Sequence, residues 1–264
     1  QPGGRTRRTA ALGILVAAGL LVALTFASFS VGRFPVGPTA LVRLLAAKAT
    51  GAPSDLPPAV ETVVFRIRGP RVLAALAIGA ALAAAGAAYQ GLFRNPLVSP
   101  DILGVSAGAA FGAVLGIYLS LNVIAIQALA FAVGLAAVAA VYLVSAFLRR
   151  HDPLLTLVLA GVLIGTLLGS CVSLVKYLAD PYNQLPAITF WLLGSLSGLT
   201  VRDLLATLPA VAAGLVPLYL LRWRMKVMTL PDEEARALGV DTGRMRLVVI
   251  AAATLMTAAV VSVS

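Results

Sequence analysis

Seven apolar runs dominate this chain, over residues 9–31, 72–93, 102–119, 122–148, 154–177, 204–221 and 247–264. A hydrocarbon core of ~30 Å is crossed by about 20 helical residues, so each run is long enough to span a bilayer. Within lipid the backbone must satisfy its own hydrogen bonds, and runs without strict alternation do so as helices. The composition agrees: 60% of residues are hydrophobic and 11% are charged, against about 25% charged in soluble domains. A soluble core of this length cannot bury so much apolar surface. The expected fold class is therefore all-α, a polytopic transmembrane helical bundle with seven spans in a single domain, 1–264.

The net charge of +10 does not indicate nucleic acid, because the arginines are scattered between apolar runs and form no continuous basic face. Cys171 stands alone, which leaves no disulfide framework and no cysteine-based metal site. His151 is the single histidine and lies in a hydrophilic break, so it is expected in a loop. Arg5, Arg7 and Arg8 precede the first run in the manner of a signal peptide. The run is too long for one and is followed by more spans, so it is expected to be a retained helix. The last run reaches Ser264 without a polar tail, and the chain is expected to be part of a longer membrane domain.

Lys and Arg in the breaks set the orientation. With the N-terminus in the cytoplasm, twelve cations fall inside, among them Arg94, Arg222, Arg224, Lys226, Arg236, Arg244 and Arg246, and eight fall outside. Six of the outer eight crowd one segment, which ends in RIRGPR, residues 66–71. Arg66, Arg68 and Arg71 thus break the rule. Either they snorkel to lipid phosphates, or they form an exposed basic ledge that receives an acidic partner.

Gly104, Gly108, Gly112 and Gly116 recur at every fourth residue of the third run, and Gly161, Gly165 and Gly169 do so in the fifth. Rows of small residues let helix backbones approach closely. A second reading makes the fifth run the wall of a path for a bulky solute, with Ser170 and Ser173 adding mild polarity near its outer half.

All ten acidic residues fall outside the seven runs. Ion-coupled carriers use ionisable groups inside the membrane, so the energy must come from elsewhere. The chain carries no GxxxxGK[ST] phosphate loop; if it pumps, its engine is a separate chain. A passive channel or facilitator without an ATPase is the alternative. The loop TLPDEEARALGVDTG, residues 229–243, is where an engine would attach. Pro231 suits a first helical position, and Asp232, Glu233 and Glu234 suit the positive end of the dipole. Arg236 lies toward the other end and Gly239 supplies the stop. A helix of about two turns follows, offering Ala235 and Leu238 as an apolar contact. A generic surface helix has the same signature.

Together these pieces resemble the FecCD family, the permeases of bacterial ABC importers for iron-siderophores, haem and cobalamin. The resemblance rests on RGPRVLAALAIGAALAAAGAAYQGLFRNPLVSPDILGVSAGAAFGA, residues 68–113, on PDEEARALGV, residues 231–240, and on the weaker WLLGSL, residues 191–196. It implies an ABC type II importer permease with about ten spans, of which seven are present here. It also implies a homodimer carrying two ATPase subunits, fed by a periplasmic binding protein, in the bacterial inner membrane. ATP and Mg would be used by the ATPase, and no cofactor or metal would be bound by this chain. Arg68 and Arg71, with Arg66 beside them, would dock acidic side chains of the binding protein; Gly69 stands where the motif more often has leucine. Pro231, Glu233, Glu234, Ala235, Arg236, Leu238 and Gly239 would form the cytoplasmic coupling helix that sits on the ATPase. Gly161, Gly165, Gly169 and Ser173 would border the translocation path, and residues 183–199 its outer gate. Lys176 either snorkels or attracts an anionic solute.

Overall fold

A computed structural model of the chain describes residues 3–32, 34–51, 53, 55–147 and 153–264. Arg33, Arg149, Arg150 and the expected loop histidine His151 lie outside the described residues. Two compact units are present, Gln1–Ala75 and Leu76–Ser264.

The first unit begins with α1, Gly3–Ser30, whose large apolar side chains from Leu12 to Phe26 are exposed, as suits a helix solvated by lipid. Helix α2, Pro38–Thr50, starts with proline at its first position and stops at Gly51, whose φ of 71° is left-handed. Next come α3, Pro58–Glu61, and a π-helical stretch, Thr62–Arg68, which continue without a break into α4, Gly69–Phe93. A small core of Val36, Leu41, Leu44 and Val64, with Phe29 and Phe65 against it, holds the unit together.

The second unit contains the rest of α4 and eight further helices: α5, Val105–Tyr118; α6, Val123–Phe147; α7, Pro153–Leu178; α8, Gln184–Leu193; α9, Val201–Leu220; α10, Arg222–Val227; α11, Asp232–Ala237; and α12, Thr242–Val261. Helix α5 packs on α6 and α7, and α12 packs on α9, α6 and α5. The glycine row of α5 is a packing device. A Cβ at Gly112 would stand 2.5 Å from the Leu129 carbonyl oxygen of α6, and one at Gly108 2.8 Å from that of Val133. Only hydrogen at these positions lets the two backbones meet.

Among the described residues six helices, not seven, are long and apolar enough to cross a membrane: Ala11–Ser30, Pro58–Phe93, Val123–Phe147, Pro153–Leu178, Val201–Leu220 and Thr242–Val261. The expected third span, 102–119, divides at Gly104. There φ turns to 76°, and the Asp101 carboxylate accepts the Ser106 N–H at 2.7 Å, so the helix cannot extend backward. What remains is the 14 residues of α5, roughly 21 Å long at 1.5 Å per residue. The irregular stretch before it is tolerated because Leu103 is fully buried in protein. Helix α9 begins three residues before the expected 204. Thr200 and Asp203 form a reciprocal capping box, and Asp203 also accepts from Gln127 of α6 at 3.2 Å.

Candidate functional site

The expected coupling segment forms α11, a helix of only six residues. An isolated helix so short has no stability of its own, so its anchors decide where it stands. Its far end is a closed Schellman turn. Val240 N–H bonds the Ala235 carbonyl at 3.1 Å, Gly239 N–H bonds that of Arg236 at 2.9 Å, and Gly239 takes a φ of 78°. The apolar pair that goes with this turn, Ala235 and Val240, is buried in the core of the second unit. Ala235 is 0% exposed and therefore anchors the helix; the expectation that it faces a partner is corrected. Leu238 is 57% exposed. Pro231 caps the start, and Glu233, Glu234 and Arg236 stand on the surface, Arg236 reaching Thr242 Oγ1 from its Nε at 3.3 Å.

The near end is held by charge, through partners that no local pattern indicated. One Asp232 oxygen accepts from Arg94 Nη2 at 2.8 Å and the other from Arg246 Nη2 at 2.6 Å. Arg94 Nε adds a bond to the Met228 carbonyl at 3.1 Å. Arg94 terminates α4 in a left-handed conformation, φ 52°, while Asn95 N–H closes back on the Gln90 carbonyl at 3.2 Å. That position usually holds glycine, because a side chain there costs about 1–2 kcal/mol.

The stretch QGLFRNPLVSPDILG, residues 90–104, carries the chain from the last turn of α4 through Arg94 toward α5. The Gln90 amide donates to the Pro96 carbonyl at 3.0 Å, and the Asn95 carboxamide oxygen accepts the Leu97 N–H at 3.0 Å. The end of the segment lies on α7: a Cβ at Gly161 would meet the Ile102 carbonyl oxygen at 2.4 Å, and Gly165 faces Gly104. Gly161 is buried, and the expectation that it borders a path is corrected, because backbone already fills that space. Gly165 is half-buried on the same contact. Further along α7, a Cβ at Gly169 would meet nothing within 4 Å beyond its own helix, and Thr166, Ser170 and Ser173 are exposed on the same side with their hydroxyls bonded to their own helix. Lys176 is half-buried in the last turn.

In the first unit, Arg68 is committed to main chain. Its Nη1 donates to the Phe29 carbonyl at 2.5 Å and its Nη2 to that of Phe34 at 2.6 Å, tying the end of α1 to the following turn. Gly32 lies beneath the guanidinium, and a Cβ there would reach 2.4 Å from Nη2. These acceptors are neutral, so the positive charge is fixed in place without being cancelled. Arg66 is exposed, while Arg71 is half-buried with its Nε buried and unpartnered. Within the expected gate segment, 183–199, α8 forms over Gln184–Leu193 and ends at Gly194, φ 72°. Its Trp191, with Gln127, Ser195, Ser197 and Asp203, borders a cleft of about 290 Å³.

Among the described residues, six helices long and apolar enough to span a bilayer, with a short polar helix fastened to the ends of two of them, define the class of multi-pass membrane proteins. The chain belongs to the FecCD transport family, whose model matches residues 20–264. It is 37% identical over 231 residues to the molybdate import system permease protein MolB of Haemophilus influenzae, covering 88% of this chain and 68% of that one. To the cobalamin import system permease protein BtuC of Halobacterium salinarum it is 40% identical, over 78% of this chain and 56% of the relative. The hemin transport system permease protein HmuU of Yersinia pestis is 35% identical over 76% and 61%. The chain thus spans between about half and two thirds of the length of these relatives. A solved structure described as an inward-facing conformation of a metal-chelate type ABC transporter matches with a TM-score of 0.81 and 33% identity, over 96% of this chain and 76% of that one.

Proposed function

We propose that this chain is the membrane permease subunit of a binding-protein-dependent ABC importer that moves a metal chelate (haem, an iron-siderophore or cobalamin) into the cytoplasm. In this reading two copies pair in the bacterial inner membrane, each with its N-terminus in the cytoplasm, and two ATPase subunits bind them. Nucleotide closes the ATPases, the coupling helices follow, and the path between the permeases switches its opening. The observation that carries the reading is α11: a six-residue helix anchored through buried Ala235, with Leu238, Glu233, Glu234 and Arg236 turned outward. A passive channel has no use for such a mount. Arg66, Arg68 and Arg71 supply the positive ledge for a binding protein, and Gly169, Ser170 and Ser173 the polar wall of the path.

The named relatives carry solutes from molybdate to cobalamin and hemin, so the test is a panel. Proteoliposomes holding the permease and its ATPase are mixed with binding proteins loaded with haem, ferric siderophore, cobalamin or molybdate. ATP hydrolysis should rise with one chelate-loaded binding protein and not with its empty form. Stimulation by molybdate alone would replace the chelate with an oxyanion, and solute flux in ATPase-free vesicles would refute the importer in favour of a facilitator.

A further inference from the structure

Asp232 is the first residue of the proposed mount, yet its carboxylate points inward to two arginines from distant parts of the chain. One partner, Arg94, ends α4; the other, Arg246, lies in the first helical turns of α12 and is only 11% exposed along its side chain. Arg94 is held at a backbone position that favours glycine. Glycine there would relieve the backbone, whereas arginine supplies the guanidinium that binds Asp232, a task the turn itself does not need. Farther along the same two helices, the hydroxyl of Tyr89 on α4 lies 3.1 Å from Thr254 Oγ1 on α12, with Tyr89 1% exposed. Helices α4 and α12 are therefore joined at two levels, and α11 is fastened to both at the lower one by a single carboxylate.

We propose that Asp232, with Arg94 and Arg246, is a positioning device that makes α11, the second-unit part of α4 and α12 a single transmission body. A displacement of α11 cannot be absorbed at its own ends, because both are held. Ala235 and Val240 hold one end in the core, and Asp232 delivers the load at the other to α4 and α12 together. Helix α12, the most buried of the six spans, passes it to α9, α6 and α5. The segment after Arg94 passes it to α7 through the contact at Gly161, toward the stripe of Thr166, Gly169, Ser170 and Ser173. Arg94 and Asp232 are partly exposed, at 32% and 29%, so the pair gains little as a surface ion pair in isolation. Its role lies in what it connects.

The inference rests on the importer reading, and the test separates the two. The full chain is assembled with its ATPase in proteoliposomes as wild type, Asp232→Asn, Arg94→Gly and Arg244→Gln. The last breaks only the surface pair of Arg244 with Asp241, where the arginine is 89% exposed. Solute taken up per ATP hydrolysed and heat stability are both measured. Asp232→Asn and Arg94→Gly should lower uptake per ATP by about fivefold or more, the lower end of a coupling between sites, while the ATPase still co-purifies. Arg94→Gly should do so with heat stability close to wild type, because relief of the left-handed backbone offsets the lost bond to the Met228 carbonyl, a split that a merely structural role would not produce. Arg244→Gln should match wild type. If Asp232→Asn does not fold, Arg94→Gly alone decides. Uptake per ATP within twofold of wild type for the folded latch variants would overturn the device and leave the importer standing. A wild-type complex with no ATPase stimulation by any loaded binding protein would overturn the importer, and the device with it.

Discussion

Replacing Gly161 by alanine tests whether α7 meets protein or a path at that position. The new Cβ would sit 2.4 Å from the Ile102 carbonyl oxygen and 3.1 Å from Leu103 Cα. Ordinary contact begins near 3.4 Å, so α7 and the segment must part by about 1 Å, enough to forfeit a quarter to a half of each dispersion well at the seam. The segment cannot yield locally. Leu103 is fully buried, and Gly104 N–H is bonded to the Asp101 carbonyl at 2.7 Å. Overpacking of this kind costs about 1–3 kcal/mol. Gly169→Ala is the matched control, eight residues along the same helix with nothing within 4 Å. Alanine's greater helix propensity, up to about 1 kcal/mol, applies to both variants and cancels in the comparison. Gly161→Ala should therefore be about 1–3 kcal/mol less stable than Gly169→Ala, read from SDS-driven unfolding in mixed micelles followed by the fluorescence of Trp191 and Trp223. Equal stabilities, within about 0.5 kcal/mol, would refute the packing argument and return Gly161 to the path wall.

Two more substitution pairs separate anchoring from contact. Arg66→Glu should weaken docking of a loaded binding protein, seen as a higher concentration for half-maximal ATPase stimulation, and leave heat stability unchanged. Arg68→Glu should lower both, because it also frees the Phe29 and Phe34 carbonyls; equal stability of the two variants would discount the Arg68 strap. Leu238→Asp should release the ATPase on co-purification while the permease stays folded, whereas Ala235→Asp should unfold the α11 region by burying an unpaired carboxylate at a cost of several kcal/mol. Co-purification at the wild-type ratio with Leu238→Asp would refute the exposed contact.

The spanning helices were legible because a bilayer imposes one length and one polarity on whatever crosses it. The 122–148 and 154–177 runs match α6 and α7 within a residue or two. The third run was not legible as a short helix, since its break depends on the left-handed turn at Gly104 and the carboxylate cap from Asp101, neither of which lowers the hydrophobicity of the run. Pattern alone placed α11 through Pro231, its acidic first turn and Gly239. Which of its apolar residues faces inward was not readable from six residues, because inward is set by α4 and α12. Likewise, Asp232 looks from the sequence like one more acid at a helix start. Its partners are 138 and 14 positions away, and only the assembled bundle brings them to the same carboxylate. The glycine rows show the same limit. Their spacing announced close approach, but only the packed bundle distinguishes Gly112, pressed on α6, from Gly169, where a side chain would meet no other helix within 4 Å.

If the proposed ledge receives a binding protein, Arg68 would carry two duties that cannot be tuned separately. Any change made there to suit a different visitor would also unfasten the loop beneath it, because the same guanidinium holds the Phe29 and Phe34 carbonyls. Arg66, exposed beside it, would be the place where the proposed docking could be retuned without that loss.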